Sequence, residues 1–268
     1  MSKVLSMFRD KAPRPRRFRR GTYLLPSLFT VANMFCGWAC IVFAMRGDYV
    51  TAAPFVGFAI VLDGLDGRVA RATGATSDFG VEFDSLADVI SFGVAPATLI
   101  FAWGLEPLGR VGWAVAFLWL AAVAVRLARF NIQGKEGDKR YFIGLPSPAA
   151  AGVPASTVFA YPLGFADPGA ALVALPVVLV PAALMVSRLR FRSFGALIPG
   201  RRRSYLTPLV IAAVIAAIAA QPEAVLVVMA YSYLSSGLIG AAMNRGQRRP
   251  VRVTAADDAD VSAAERSA

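Results

Sequence analysis

The sequence contains no histidine. That removes the commonest general base, the Ser–His and Cys–His nucleophile pairs and any imidazole-held metal. Cysteine is almost as scarce: Cys36 and Cys40 stand four apart inside an apolar run. Two thiols without histidine do not make a zinc site, and they form no disulfide framework. They read as thiols packed inside a membrane helix. Charge is thin as well, at 17% of 268 residues, which is low for a water-soluble domain of this size. No internal repeat is present.

What is present is hydrophobic. Apolar residues make up 57% of the chain, and several runs approach the ~20 residues that a helix needs to cross a bilayer core of about 30 Å. The apolar segments are roughly 23–45, 50–74, 77–103, 111–130, 148–165, 169–187, 206–220 and 223–243. The expectation is an all-α polytopic membrane protein of about eight transmembrane helices with both termini cytoplasmic. Residues 1–21 form a basic cytoplasmic arm, 22–245 the membrane domain, and 246–268 a small, polar, disordered tail.

Net charge is +11, a balance that raises the question of nucleic acid. Its distribution answers it. With the N-terminus inside and sides alternating, all but two of the 28 Lys/Arg fall on the cytoplasmic side; the exceptions are Arg46 and Arg110. That is the positive-inside asymmetry. The charge is topological and faces lipid headgroups, so no nucleic-acid partner is expected.

The acidic residues are distributed very differently. Residues 63–88 read DGLDGRVARATGATSDFGVEFDSLAD and hold six of the 17 Asp/Glu, between two apolar runs. Ahead of them, the apolar run Ala52–Leu62 spans only about 16 Å at 1.5 Å per residue, so helix must continue past Asp63. Asp63, Asp66, Gly67 and Ala70 then share one face. TGATS breaks the helix, and Thr76 or Ser77 suits the N-cap of the next one. On that helix Gly80, Asp84 and Asp88 share a face. Asp78 and Glu82 lie off these stripes and are expected to be dispensable.

Two such helices joined by a short turn bring four carboxylates together at the cytoplasmic rim. Unpaired, they repel. Divalent cations resolve the repulsion, and all-oxygen ligation suits Mg2+, Mn2+ or Ca2+. The competing reading is pairing with Arg68, Arg71, Arg126 or Arg129. Gly67 and Gly80 beside the carboxylates leave room for a bulky ligand or permit close helix packing. A cation channel or transporter is the rival from another class; it calls for carboxylates near mid-membrane on broken helices, whereas these cluster at one rim.

The stretch fits D-x-x-D-G-x-x-A-R-x8-G-x3-D-x3-D at every fixed position, from Asp63 through Asp66, Gly67, Ala70, Arg71, Gly80 and Asp84 to Asp88. In this it resembles the CDP-alcohol phosphotransferases. The flanks SDFGVEFDSLADVISFGVAPA, RLARFN (126–131) and GLPSPAAAG (144–152) are similar to those of membrane-integral phosphatidylserine synthases. So is TYLLPSLFTVANMFCG (22–37), although this chain has Pro26-Ser27 where the family often has Pro-Asn.

The resemblance implies transfer of the phosphatidyl group of CDP-diacylglycerol to L-serine, giving phosphatidylserine and CMP. It implies Asp63, Asp66, Asp84 and Asp88 as holders of Mg2+ or Mn2+, two ions, with Asp88 also the general base. Asp66, Gly67, Ala70, Arg71, Gly80 and Thr30 would receive the CDP group. A cell-membrane location, an active site at the cytoplasmic face and a homodimer follow by the same resemblance. Arg126, Arg129 and Asn131 lie at the cytoplasmic end of the fourth span. They are read either as binding serine or a phosphate or, for the two arginines, as topological anchors. Ser147 either lines the site or caps the fifth span. Another acceptor (glycerol phosphate or inositol phosphate) and an archaeal-type lipid donor remain open.

Overall fold

The computed structural model describes residues 24–73, 77–133, 141–187, 189–192 and 206–245. The basic arm 1–21 and the tail 246–268 lie outside the described residues. Helix dominates: α1 (Leu24–Met45), α2 (Tyr49–Thr73), α3 (Asp78–Asp88), α4 (Ala95–Ile100), α5 (Arg110–Gln133), α6 (Ser147–Ala160), α7 (Pro168–Ala171), α8 (Ala174–Val186), α9 (Leu206–Ala220) and α10 (Pro222–Arg245). One feature escaped the sequence pattern. Tyr141–Ile143 (β1) pairs antiparallel with Arg190–Arg192 (β2), Phe142 opposite Phe191.

Six helical stretches are long and apolar enough to cross a membrane: Ser27–Met45, Tyr49–Val69, Phe79–Leu108, Arg110–Ile132, Pro168–Val186 and Pro222–Ile239. Two of the eight expected segments are shorter as helices, α6 with 14 residues and α9 with 15. The third span instead runs longer than expected, to Leu108.

On α1 and α2 several large side chains point outward while small ones line the contact. Phe35, Trp38 and Phe58 are exposed, while Cys36, Cys40 and Ala44 of α1 and Ala52, Val56 and Ala59 of α2 are buried. Lipid gives helices no hydrophobic reason to associate, so close van der Waals contact through small residues must hold them. The two cysteines are free, buried thiols of this interface. Trp119, Phe92, Leu99 and Ile100 fill the centre, with α5 against α8 and α6 between α2 and α10.

The third span is not uniform. A π-helical turn (Val89–Val94) follows Asp88, and a second (Phe101–Leu105) precedes a 3-10 turn at Glu106–Leu108. Each adjoins a proline, which has no N–H to donate. Pro96 leaves Phe92 O without its partner four residues on, and Trp119 Nε1 of α5 supplies a donor at 3.1 Å. Pro107 leaves Trp103 O without its partner four residues on, and Glu106 N goes to Phe101 O and not to Ala102 O. The Tyr49 hydroxyl donates to Ala102 O at 2.7 Å and Phe165 N to Trp103 O at 3.2 Å. Neighbouring elements thus satisfy what the broken ladder gives up, a requirement inside a bilayer.

Candidate active site

α2 continues as helix beyond Asp63 to Thr73, as its short apolar run requires. Ser77 is the N-cap of α3; its extended backbone lets Oγ accept from Gly80 N at 3.0 Å. A β-carbon at Gly80 would meet that Oγ at 3.2 Å, so its small size serves the cap as well as the stripe. Ala70 and Arg71 lie on α2, with side chains outside the described ones. Glu82 is exposed, away from the cluster.

One carboxylate oxygen from each of Asp63, Asp84 and Asp88 lies within 4.8 Å of the other two. Asp66 does not complete that set. It is buried and accepts a hydrogen bond from Thr30 Oγ1 of α1, while staying close enough for its charge to act on Asp63 and Asp84. The four acids expected to converge therefore divide into three that share one space and a fourth held beside them by α1.

The cluster fits a hard divalent cation. Its donors are all carboxylate oxygens, and Asp84 Oδ1 is buried without a hydrogen-bond partner. Three carboxylates in one space need positive charge, and the arginines of α5 are bonded elsewhere. Arg126 Nη1 donates to Ser147 Oγ at 2.6 Å. Its guanidinium also stands 5.8 Å from the Phe130 ring centroid. Arg129 Nη1 reaches the carbonyls of Val186 and Ser187 at 3.4 and 3.5 Å, at the end of α8. Arg68 is exposed. Of these three, only Arg126 is buried.

α1 supplies a polar face that the sequence reading used only in part. Thr30, Asn33 and Gly37 recur at i, i+3 and i+7. Asn33 Nδ2 lies 3.4 Å from Asp88 Oδ1, and Asn33 O accepts from Ser91 Oγ at 2.9 Å. Asn33 was missed, although its signal was legible: a polar residue in line with Thr30 inside an apolar span. The π turn after Asp88 was not legible. Such turns often adjoin functional residues because they re-aim a helix locally.

The other sequence candidates fall as follows. Asn131 Nδ2 donates to Ser85 Oγ at 2.9 Å and ties the end of α5 to α3. Ser147 is fully buried and makes no cap bond; its hydroxyl accepts from Arg126. The GLPSP segment closes over α8. Gly144 (φ 84°) donates to Leu189 O at 2.7 Å, and Leu145 N donates to Leu184 O at 3.1 Å. A β-carbon at Gly144 would collide with Met185 O.

Carboxylates that converge from facing helices, with polar side chains of a third helix against them, define an integral-membrane helical protein with a buried acidic cluster. Residues 23–189 match the CDP-alcohol phosphatidyltransferase profile, and the chain belongs to that family. It is also similar to curated proteins named CDP-diacylglycerol–serine O-phosphatidyltransferase. The Helicobacter pylori protein is 43% identical over 173 residues, 64% of this chain and 73% of the relative. The Mycobacterium leprae protein is 42% identical over 144 residues, 52% of this chain and 48% of the relative. The Methanocaldococcus jannaschii protein is 49% identical over 92 residues, 34% and 42%. The last two of these matches span less than half of the relatives' own length.

Proposed function

We propose that this protein transfers the phosphatidyl group of CDP-diacylglycerol to L-serine, giving phosphatidylserine and CMP in phospholipid biosynthesis. The observation that carries the reading is the Asp63, Asp84 and Asp88 cluster, in a chain of this family whose relatives bear that name.

Asp63, Asp66, Asp84 and Asp88 hold two divalent ions, Mg2+ or Mn2+, in this proposal. When bound, these ions supply positive charge to the donor's diphosphate, the main need of phosphoryl transfer. Asp88 accepts the proton of the serine hydroxyl. With no histidine in the chain, a carboxylate is the natural base, and Asp88 is buried beside Asn33. The serine oxygen forms its bond to the β-phosphorus as the bond to the CMP oxygen breaks, and CMP leaves with the electron pair. Thr30, Asp66, Gly67, Ala70, Arg71 and Gly80 receive the CDP group. Thr30 orients Asp66 for this. Arg126 serves the acceptor directly. Arg129 and Asn131 serve it by fixing α5 to α8 and to α3.

The same proposal places residues 22–245 in the cell membrane as one catalytic domain. It has eight crossings, both termini cytoplasmic and the active site at the cytoplasmic face, and it works as a homodimer. The Lys/Arg asymmetry supports this count. In it, α6 and α9 reach only about 21–22 Å as helices, so flanking residues complete their crossings.

The test is acceptor selection. Purified protein receives CDP-diacylglycerol, Mn2+ or Mg2+, and in turn L-serine, glycerol phosphate and inositol phosphate. CMP release with L-serine is expected; release with another acceptor but not with serine overturns the reading.

A further inference from the structure

Among the described residues, three buried side-chain atoms have no hydrogen-bond partner: Asn33 Oδ1, Asp84 Oδ1 and Arg126 Nε. They are not scattered. Asp84 belongs to the carboxylate cluster, Asn33 touches Asp88, and Arg126 acts on Asp88 and Asp63. Leaving a buried donor or acceptor unpaired costs about 1–3 kcal/mol. A fold that leaves three of them around one space is shaped for something that satisfies them.

A cation accounts for Asp84 Oδ1. It does not account for a guanidinium nitrogen. Arg126 is 9% exposed and Asn33 1%, so both polar groups lie inside the bundle. The two orphans differ in kind. Arg126 Nε is a donor carrying positive charge. An ionised carboxylate only accepts, so the Asn33 amide nitrogen must face Asp88 and its oxygen remains as a free acceptor. Asn33 reaches Asp88 from α1, and Arg126 lies within electrostatic range of it from α5.

We propose that Arg126 and Asn33 bracket an acceptor subsite for an amino-acid alcohol. Arg126 receives the α-carboxylate, Asn33 Oδ1 accepts from the α-ammonium, and the hydroxyl lies at Asp88. Ser147 is a positioning residue: it holds Nη1 at 2.6 Å and so fixes the guanidinium. Serine is the ligand class that brings an anion, a cation and a hydroxyl within a few bonds. A polyol phosphate brings close to two negative charges against one guanidinium beside three carboxylates, and no cation for Asn33 Oδ1. This inference rests on the serine reading above and assigns the groups that enforce it.

The experiment uses the full chain in lipid nanodiscs with CDP-diacylglycerol and Mn2+. Kinetics are measured with L-serine, ethanolamine (no carboxylate) and 3-hydroxypropanoate (no ammonium), the analogues being read as competitive inhibitors if their turnover is slow. Arg126→Gln is expected to weaken L-serine and 3-hydroxypropanoate by about 10- to 100-fold in KM or Ki. It should leave ethanolamine and the KM of CDP-diacylglycerol nearly unchanged. Asn33→Ala is expected to weaken L-serine and ethanolamine but not 3-hydroxypropanoate. Arg126→Lys keeps the charge without the planar fork and should fall between wild type and Arg126→Gln. Ser147→Ala should raise the serine KM with little change in kcat; these two variants carry the test should Arg126→Gln fail to fold. A shift in the KM of CDP-diacylglycerol instead would give Arg126 to the donor's diphosphate and overturn the assignment. Loss of Mn2+ affinity in Asn33→Ala, read by electron paramagnetic resonance without substrates, would make Asn33 a metal ligand and also overturn it. A wild type inactive with L-serine sinks the serine reading itself. An active wild type whose serine KM is indifferent to Arg126 and Asn33 sinks only the subsite.

Discussion

Gly37 of α1 lies so close to Ser91 that a β-carbon there would stand 2.8 Å from the Ser91 α-carbon. The two helices touch through backbone at the first π turn. One turn of α1 away, Asn33 O accepts from Ser91 Oγ and Asn33 Nδ2 faces Asp88. The contact therefore sets the height of α1 against the carboxylates. Gly37→Val is expected to force the helices apart and destabilise the protein by about 1–3 kcal/mol. A lower thermal midpoint in detergent and a reduced kcat would be measured together. An unchanged midpoint would mean that the backbones are not in contact.

Trp119→Phe removes the donor that Pro96 cannot provide to Phe92 O. The ring is fully buried, so the phenyl keeps much of the packing and leaves the carbonyl orphaned. A loss of about 1–3 kcal/mol is expected, visible as faster hydrogen exchange in residues 89–97 than in wild type.

Asp88→Asn keeps the shape of the side chain and removes its ability to take a proton. At saturating Mn2+, where Asp63, Asp66 and Asp84 still hold the ions in this proposal, turnover should fall by about 10^2- to 10^4-fold, while CDP-diacylglycerol binding by equilibrium titration changes little. A rate within threefold of wild type would take Asp88 out of the base role.

Asp84→Asn should weaken Mn2+ binding at least tenfold, since Asp84 Oδ1 is buried without a partner beside Asp63 and Asp88. Glu82→Gln, two residues before Asp84 on the other side of α3 and exposed, should leave it unchanged. Chelation should abolish CMP release, with Mg2+ or Mn2+ restoring it. Equal effects of the two substitutions would show that affinity follows bulk charge and not the cluster.

Thr30→Val preserves shape and removes the hydrogen bond to Asp66. A rise in the KM of CDP-diacylglycerol with the serine KM unchanged is expected, and Thr30→Ser should restore most of the affinity. A change confined to the serine KM would place Thr30 on the acceptor side.

Helix positions were legible because apolar runs of membrane length are hard to mistake. The acidic stripes were legible because i, i+3 and i+4 spacing fixes which residues share a face. Ser77 as N-cap was legible from TGATS. The π turns were not, because their stability depends on Trp119 and Tyr49 donating from other helices. The β1–β2 pairing was not, because three-residue strands far apart in the chain carry no periodic signal.

The sequence alone determined a membrane-embedded helical protein with carboxylates on two helical stripes, because composition and helical period act locally. It could not determine which carboxylates would meet. The tertiary structure brought Asp63, Asp84 and Asp88 together and drew Asp66 to Thr30. It also set Asn33 against Asp88 and tied Arg126 to Ser147. Those pairings depend on how each helix is rotated and how high it sits against its neighbours. Close contacts such as Gly37 on Ser91 fix both, and they join residues that no local pattern relates.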